Sequence, residues 1–582
     1  MTLVLSAKPK LFYLSNQQLQ TISKRLLSTS VKRQTNRLTN GLIKTHHQQN
    51  RSNNRQNQKI ALVSGIVIVG SYIAFNQSNY YNLDTLPSSP SSGKAPKLLE
   101  DNKKFYSTST NSQSISHQQH KEGVFLLNDE QVSRKLRQFE ESYFVNRGKG
   151  VVRYDICQLP SNSPIEDDRA EEIVQVPILQ DNNIKTSTDW MFFGVFDGHG
   201  GWTTSSKLRD QLIGYVIHEL GTIYKPVQGE ENLRYVPNSA TIDQAIKNGF
   251  LKLDHEIVTK NIEKLLLDGN KAKAAELLMP ALSGSCALLS FYDTNSKMLK
   301  VAVTGDSRAI LGSFKDNRWT VRQLSIDQTG ANPTEVARII SEHPDEPKVI
   351  RNGRVLGGLE PTRAFGDCRY KLPATIQEKI YKQFFGRSLP NQLNSPPYVT
   401  AEPVISTTKI NPDNNDFLVM ASDGLYEMLS NEEIIGLVVK WMEKEKMIKP
   451  QKSIWNYFNK DNNLPEVSDI TQDKSSKKPF RRLSTNQGFM LQDNNVSTHL
   501  IRNALSNGGS KEQTAMLISI PNPVSRRYRD DLTVTVVFFG KDHNNIIQNN
   551  NNGTSTVGND QGQLEVNSQA TAGGLDASKP KL

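Results

Sequence analysis

Four apolar runs of strand length each abut an aspartate-bearing turn, and this recurrence constrains the fold more than any other feature of the chain. MFFGVF (191–196) leads into Asp197-Gly198-His199-Gly200-Gly201, and LKVAVT (299–304) into Gly305-Asp306-Ser307-Arg308. FLVMAS (417–422) leads into Asp423-Gly424, while TVTVVFF (533–539) follows Arg529-Asp530-Asp531. A further acidic turn is Glu166-Asp167-Asp168. Apolar, β-branched and aromatic residues in such short runs read as strands. An Asp-Gly pair alone is only a turn signal. Repeated at strand ends, the aspartates would be gathered at a shared edge by strands of one sheet. Clustered carboxylates repel one another unless a cation neutralises them. Oxygen ligands without Cys and with little His select Mg²⁺ or Mn²⁺ over zinc. Two such ions ~3.5–4 Å apart make a site for phosphoryl hydrolysis.

Helical patterns separate these strands, at 203–220, 242–258 and 432–443. In the second, Ile242, Ala245, Ile246, Phe250, Leu253 and Ile257 share one face. Ser430-x-x-Glu433 is a capping box ahead of the third, and Asn332-Pro333-Thr334-Glu335 starts another helix. One globular region of about 121–540 holds all of this, with the polar, Lys-rich stretch 444–493 as a surface insertion.

The rest of the chain has a different character. Apolar residues make up 36% of it, below the globular norm of roughly 45–50%, so part of it is not core. The net charge of +11 resides in one place: Met1–Leu83 carry 11 Lys and Arg and no acid, which leaves 59 basic and 59 acidic residues beyond. A formally neutral remainder argues against a nucleic-acid binder. An acid-free arm rich in Arg, Ser, Asn and Gln over 1–59 has the composition of a mitochondrial transit peptide. IALVSGIVIVGSYIAF (60–75) is short of the ~20 residues of a full span and reads as a membrane or sorting segment. If it spans the inner membrane, its basic flank stays in the matrix and the remainder faces the intermembrane space. If it is removed or passes through, the remainder is in the matrix. Residues 76–120 read as a disordered linker and 541–582 as a disordered tail. The final Pro580-Lys581-Leu582 resembles a peroxisomal Ser-Lys-Leu signal, which would add a peroxisomal pool. Cys157, Cys286 and Cys368 are too scattered for a disulfide framework or a Cys-based zinc site.

Six segments, in order, resemble the type 2C (PPM) metal-dependent Ser/Thr protein phosphatases: VFDGHGG (195–201), GSCALL (284–289), VTGDSRAIL (303–311), TRAFGD (362–367), ASDGLYEML (421–429) and RDDLTVTVV (529–537). QLPSNSPIEDDRAEE (158–172), ANPTEVARIISEHPDEP (331–347) and RNGRVLGGLEPTRAFGD (351–367) are most similar to the mitochondrial pyruvate dehydrogenase phosphatase branch. The resemblance covers about 121–540. It implies an α+β fold, a PPM-type β-sandwich of two antiparallel sheets flanked by pairs of α-helices, with a dimetal site at one end. It also implies that Asp197 bridges two Mg²⁺ or Mn²⁺ ions, that Gly198 offers its carbonyl, and that Asp423 and Asp530 complete the second ion. Glu166 and Asp167 would hold metal-bound waters, and Asp306 with Asp423 would suit a weaker third ion. The implied chemistry is attack of a metal-bound hydroxide on phosphoserine, with His199 protonating the leaving oxygen. Asn162 stands where many relatives carry a phosphate-binding Arg, which shifts selectivity toward protein contacts. Asp531 replaces a frequent Asn; it would either raise the demand for divalent metal or face solvent.

The substrate implied is a phosphoserine protein, with the pyruvate dehydrogenase E1α subunit favoured; another mitochondrial or intermembrane-space phosphoprotein is the alternative. A non-catalytic scaffold of the same fold is a rival, against which Asp197, Asp306, Asp423 and Asp530 all stand. Arg481-Arg482-Leu483-Ser484 resembles a site for basophilic kinases.

Overall fold

The computed structural model describes residues 125–540, apart from 146, 148–149, 180–184, 391, 450–462, 472–478 and 482–487, together with 564–566. The targeting arm, the 60–75 segment, the linker, Ser484 and the C-terminal tripeptide lie outside these residues. Among the described residues no helix is long and apolar enough to cross a membrane.

Two β-sheets stack face to face. The first is built from β1 (Glu141–Val145), β2 (Val151–Leu159), β7 (Arg308–Lys315), β8 (Arg318–Gln323), β10 (Phe417–Ala421) and β11 (Leu532–Phe539). Its order is β8-β7-β10-β11-β2-β1, with Val467–Asp469 on the β8 edge and Leu564–Val566 on the β1 edge. The second sheet holds β3 (Asp168–Leu179), β4 (Lys185–Phe196), β5 (Ala287–Asp293), β6 (Met298–Thr304) and β9 (Val404–Lys409), in the order β9-β6-β5-β4-β3. Two short strands, Glu230–Tyr235 and Pro226–Val227, extend it past β3. The main pairings are antiparallel; the added strands at 467–469 and 230–235 run parallel to their neighbours. Residues 564–566, within the tail expected to be disordered, pair with β1, and the rest of that tail lies outside the described residues.

Helices cover both outer faces. α2 (Thr203–Ile223), α3 (Ser239–His255), α4 (Asn261–Asp268) and α5 (Lys271–Leu282) pack on the second sheet. α1 (Asp129–Leu136), α6 (Asn431–Lys444), α7 (Val496–Ser506) and α8 (Lys511–Ser519) pack on the first. This layering explains the continuous apolar strands. In β4, Met191, Phe193 and Val195 enter the core between the sheets, while Trp190, Phe192 and Phe196 meet the helices. β10 and β11 are likewise buried on both faces, so alternation disappears from their sequences.

Helix starts follow their local signals. Ser430 and Glu433 form a reciprocal capping box, and Asn332 caps Pro333–Glu342 by accepting from Thr334 N at 3.0 Å. The pattern read at 242–258 is instead α3 followed by a wide π turn, Glu256–Lys260, which keeps Ile257 and Val258 buried and runs into α4. Within the stretch expected to be a surface insertion, several described residues are tied to the core. Val467–Asp469 pairs with β8, and Leu464, Phe489 and Leu491 pack against the helices of the first sheet.

Candidate active site

Strand register assembles the acidic residues. Asp168 lies opposite Phe196 in the β3–β4 hairpin, so the residues just beyond the pair, Asp167 and Asp197, share one end. Ala421 lies opposite Val534, which sets Asp423 beside the turn preceding β11. Asp306 occupies the crossover from β6 in one sheet to β7 in the other. The carboxylates therefore come from both sheets. This corrects the expectation of a single sheet: the stacking of the sheets, which sequence spacing does not encode, brings the ends together.

Carboxylate oxygens of Asp197, Asp306 and Asp423 all lie within 4.8 Å of one another, and those of Asp423, Glu427 and Asp530 do the same. Asp423 belongs to both groups. Glu427 follows Asp423 by one helical turn and was not singled out from sequence, although its i+4 spacing is a usable signal. Burial, then repulsion from Asp167, Asp423 and Asp306, pushes the Asp197 carboxyl well above its ordinary range. Burial, then Asp306 and Glu427, does the same to Asp423. Asp167, 3% exposed, is raised to about 7 by burial and then by Asp531, and its Oδ2 is buried without a hydrogen-bond partner. Six crowded acids with an orphaned buried oxygen are the electrostatics of a cation site. The residues fit divalent ions held by hard oxygen ligands.

His199 stands beside this cluster on a two-residue strand, Gly198–His199, paired with Gly284–Ser285. Its Nε2 is 2.6 Å from Asp367 Oδ2. Burial pulls the imidazole pKa down, but Asp367, with Glu166 and Asp306, offsets this and leaves it raised, which favours a protonated ring. A side chain at Gly284 would strike the pair, with Cβ 2.1 Å from His199 Nε2. One at Gly198 would come 2.2 Å from Glu166 O, so both glycines allow close approach. Asp367 closes the TRAFGD segment, but its pairing with a histidine 168 residues away left no local mark.

Glu166 is carried by a loop organised around Asp531. Asp531 is 2% exposed and accepts from Ser161 N and Oγ, Asn162 N and Glu166 N. It therefore does not face solvent, contrary to one of the two expectations for it, and it lies outside the two carboxylate groups. Backbone donors consume both its oxygens. Asn162 Nδ2 donates to Glu166 Oε2 at 3.2 Å, and Glu166 and Asp167 lie outside the two groups of candidate ligands. Burial raises the Glu166 carboxyl, and Arg526 opposes the shift.

Residues 166–462 match the protein phosphatase 2C family model. The chain is 44% identical over 544 residues to pyruvate dehydrogenase (acetyl-transferring) phosphatase 1, mitochondrial, of Saccharomyces cerevisiae, covering 90% of each chain. It is 42% identical over 410 residues to a protein phosphatase 2C homolog of Schizosaccharomyces pombe, covering 70% of this chain and 84% of that one. Pyruvate dehydrogenase (acetyl-transferring) phosphatase 2, mitochondrial, of Homo sapiens is 29% identical, over 72% of this chain and 84% of its own. With these matches spanning the strands and turns that gather the carboxylates, the chain belongs to the protein phosphatase 2C family of metal-dependent serine/threonine phosphatases.

Proposed function

We infer that this phosphatase acts in mitochondria on phosphoserine of the pyruvate dehydrogenase E1α subunit. In this reading Asp197, the Gly198 carbonyl, Asp423 and Asp530 hold two Mg²⁺ or Mn²⁺ ions, and Asp306 with Asp423 serves a weaker third. Glu166 and Asp167 orient the surrounding water. When bound, the cations supply Lewis-acid activation of water and neutralise charge at the phosphoryl group. His199 holds the proton for the leaving serine oxygen, and Asp367 keeps the ring charged and oriented. The observation that carries the chemistry is the convergence of Asp197, Asp306 and Asp423 within 4.8 Å.

The substrate reading is supported by the 90% coverage shared with the yeast enzyme, which extends well past the family segment. The acid-free arm supports mitochondrial import. E1α resides in the matrix, so this reading requires the 60–75 segment to pass into the matrix or be cleaved there rather than anchor the chain in the inner membrane. A peroxisomal pool directed by the last three residues is a separate, subordinate reading. The test is release of phosphate from phosphorylated E1α by the full chain with Mg²⁺ or Mn²⁺. Turnover well above that on unrelated phosphoproteins is expected; equal turnover would remove E1α as the substrate. Protease protection in fractionated mitochondria tests the compartment, and digestion in mitoplasts with intact inner membranes would contradict the matrix.

A further inference from the structure

A phosphate dianion approaching this many carboxylates needs cationic partners besides metal. The loop beside Glu166 offers no cation there: Asn162 is neutral, and its amide is turned to Glu166. The geometry points to Arg526 as the side chain that binds the substrate phosphate. This assignment rests on the phosphatase reading above and adds to it a residue that determines substrate affinity.

Arg526 lies on the short 3-10 turn Val524–Arg527 and is ion-paired with Asp530, one of the candidate metal ligands. Its side chain is half-buried, 37% exposed, at the edge of the acidic cluster. The turn is stitched to the Asn162 loop itself. Asn522 Nδ2 donates to Asn162 O at 3.0 Å, and Ser525 Oγ donates to Ser161 O at 2.7 Å. A cation carried on this turn therefore arrives at the edge where Asn162 provides none. A guanidinium stays charged throughout the working pH range of a protein. A guanidinium has five N–H donors in a rigid fork; one edge can stay on Asp530 while another meets phosphoryl oxygens.

Other nearby cations are placed less well. Arg481 pairs with Glu427, and Arg529 is fully buried, donating to Pro160 O at 2.6 Å. Arg387, which donates at 3.0 Å to the carbonyl of Gly200, the residue after His199, is the serious rival.

The experiment compares the full chain with Arg526→Ala, Arg526→Lys and Arg387→Ala. It measures KM and kcat on a phosphoserine peptide, the Mn²⁺ concentration for half activation, and calorimetric binding of inorganic orthophosphate. Arg526→Ala is expected to raise KM and weaken orthophosphate binding by about tenfold or more, with the Mn²⁺ midpoint unchanged. Arg526→Lys, which keeps charge and loses the fork, should fall between. KM and orthophosphate affinity do not depend on the active fraction, so partial misfolding cannot imitate the result. An unchanged KM and orthophosphate affinity with a shifted Mn²⁺ midpoint would make Arg526 an orienter of Asp530 and overturn the assignment. So would a loss seen in Arg387→Ala and absent from Arg526→Ala. A wild-type chain without metal-dependent activity is a different result, because it removes the phosphatase reading itself.

Discussion

His199 and Asp367 meet at 2.6 Å from two turns of a three-stranded ribbon, with Gly284 forming the floor beneath them. The carboxylate can hold the imidazole in one orientation and keep its proton, so the two side chains should act as a unit. His199→Ala and Asp367→Ala are both expected to slow hydrolysis of a phosphoserine peptide, by roughly 10²–10⁴ for the histidine, because a serine alkoxide needs protonation. Both should largely spare an aryl phosphate, whose leaving group is stable as an anion. Parallel kcat measurements on the two substrates check this, and equal losses on both would take His199 out of the acid role. At this scale the sequence was legible where a carboxylate ends a strand, as at Asp197 and Asp423. It was silent where the partner is remote, as for Asp367. It misled at Asp531, whose buried contacts to Ser161, Asn162 and Glu166 exist only after β2 and β11 pair.

At the scale of elements, strands buried on both faces announced themselves, while β3 did not. Its residues are mostly half-exposed and include Arg169, Glu171 and Glu172, so it lacks an apolar run. α7 was hidden for the opposite reason. Every residue of it is buried, and its polar ones are satisfied from elsewhere: Arg502 by Asp493, Asn503 by Met490, His499 by Leu437 O. No amphipathic stripe remains to be read. The same helix holds Glu140, whose Oε2 accepts from Thr498 Oγ1 at 2.6 Å. Burial raises this carboxyl to about 8, against the hydrogen bond from Thr498 and the charge of Arg137. Its folded value stands above its ordinary 4.5, so its stabilisation is complete below about pH 4.5 and fades as pH rises through 8. Glu140→Gln should therefore gain on wild type as pH rises from 5 to 9, by on the order of a few kcal/mol, in urea unfolding at each pH. A difference that does not vary with pH would contradict the buried, protonated carboxyl.

For the molecule as a whole, the α/β/β/α layering decides what the individual turns cannot. Asp197 leaves the second sheet, Asp423 and Asp530 flank strands of the first, and Asp306 bridges them. Only the stacked sheets put these acids within reach of a shared cation. The three principal clusters of buried apolar side chains fill the interface between the sheets and both helical layers, and their burial works against the repulsion among these acids. Sequence spacing conveyed the strand ends and the acidic turns beside them, while the division of the acids between two sheets was a property of packing alone. The central claim is that these carboxylates act through divalent cations at one shared site. It is tested most directly by purified full-length Asp197→Asn, assayed for phosphate release from a phosphoserine peptide at saturating Mg²⁺ and Mn²⁺, with its melting temperature measured alongside. The expected result is loss of most metal-dependent turnover, by at least about a hundredfold, in a chain that still melts cooperatively. Near-wild-type turnover at saturating metal would contradict it.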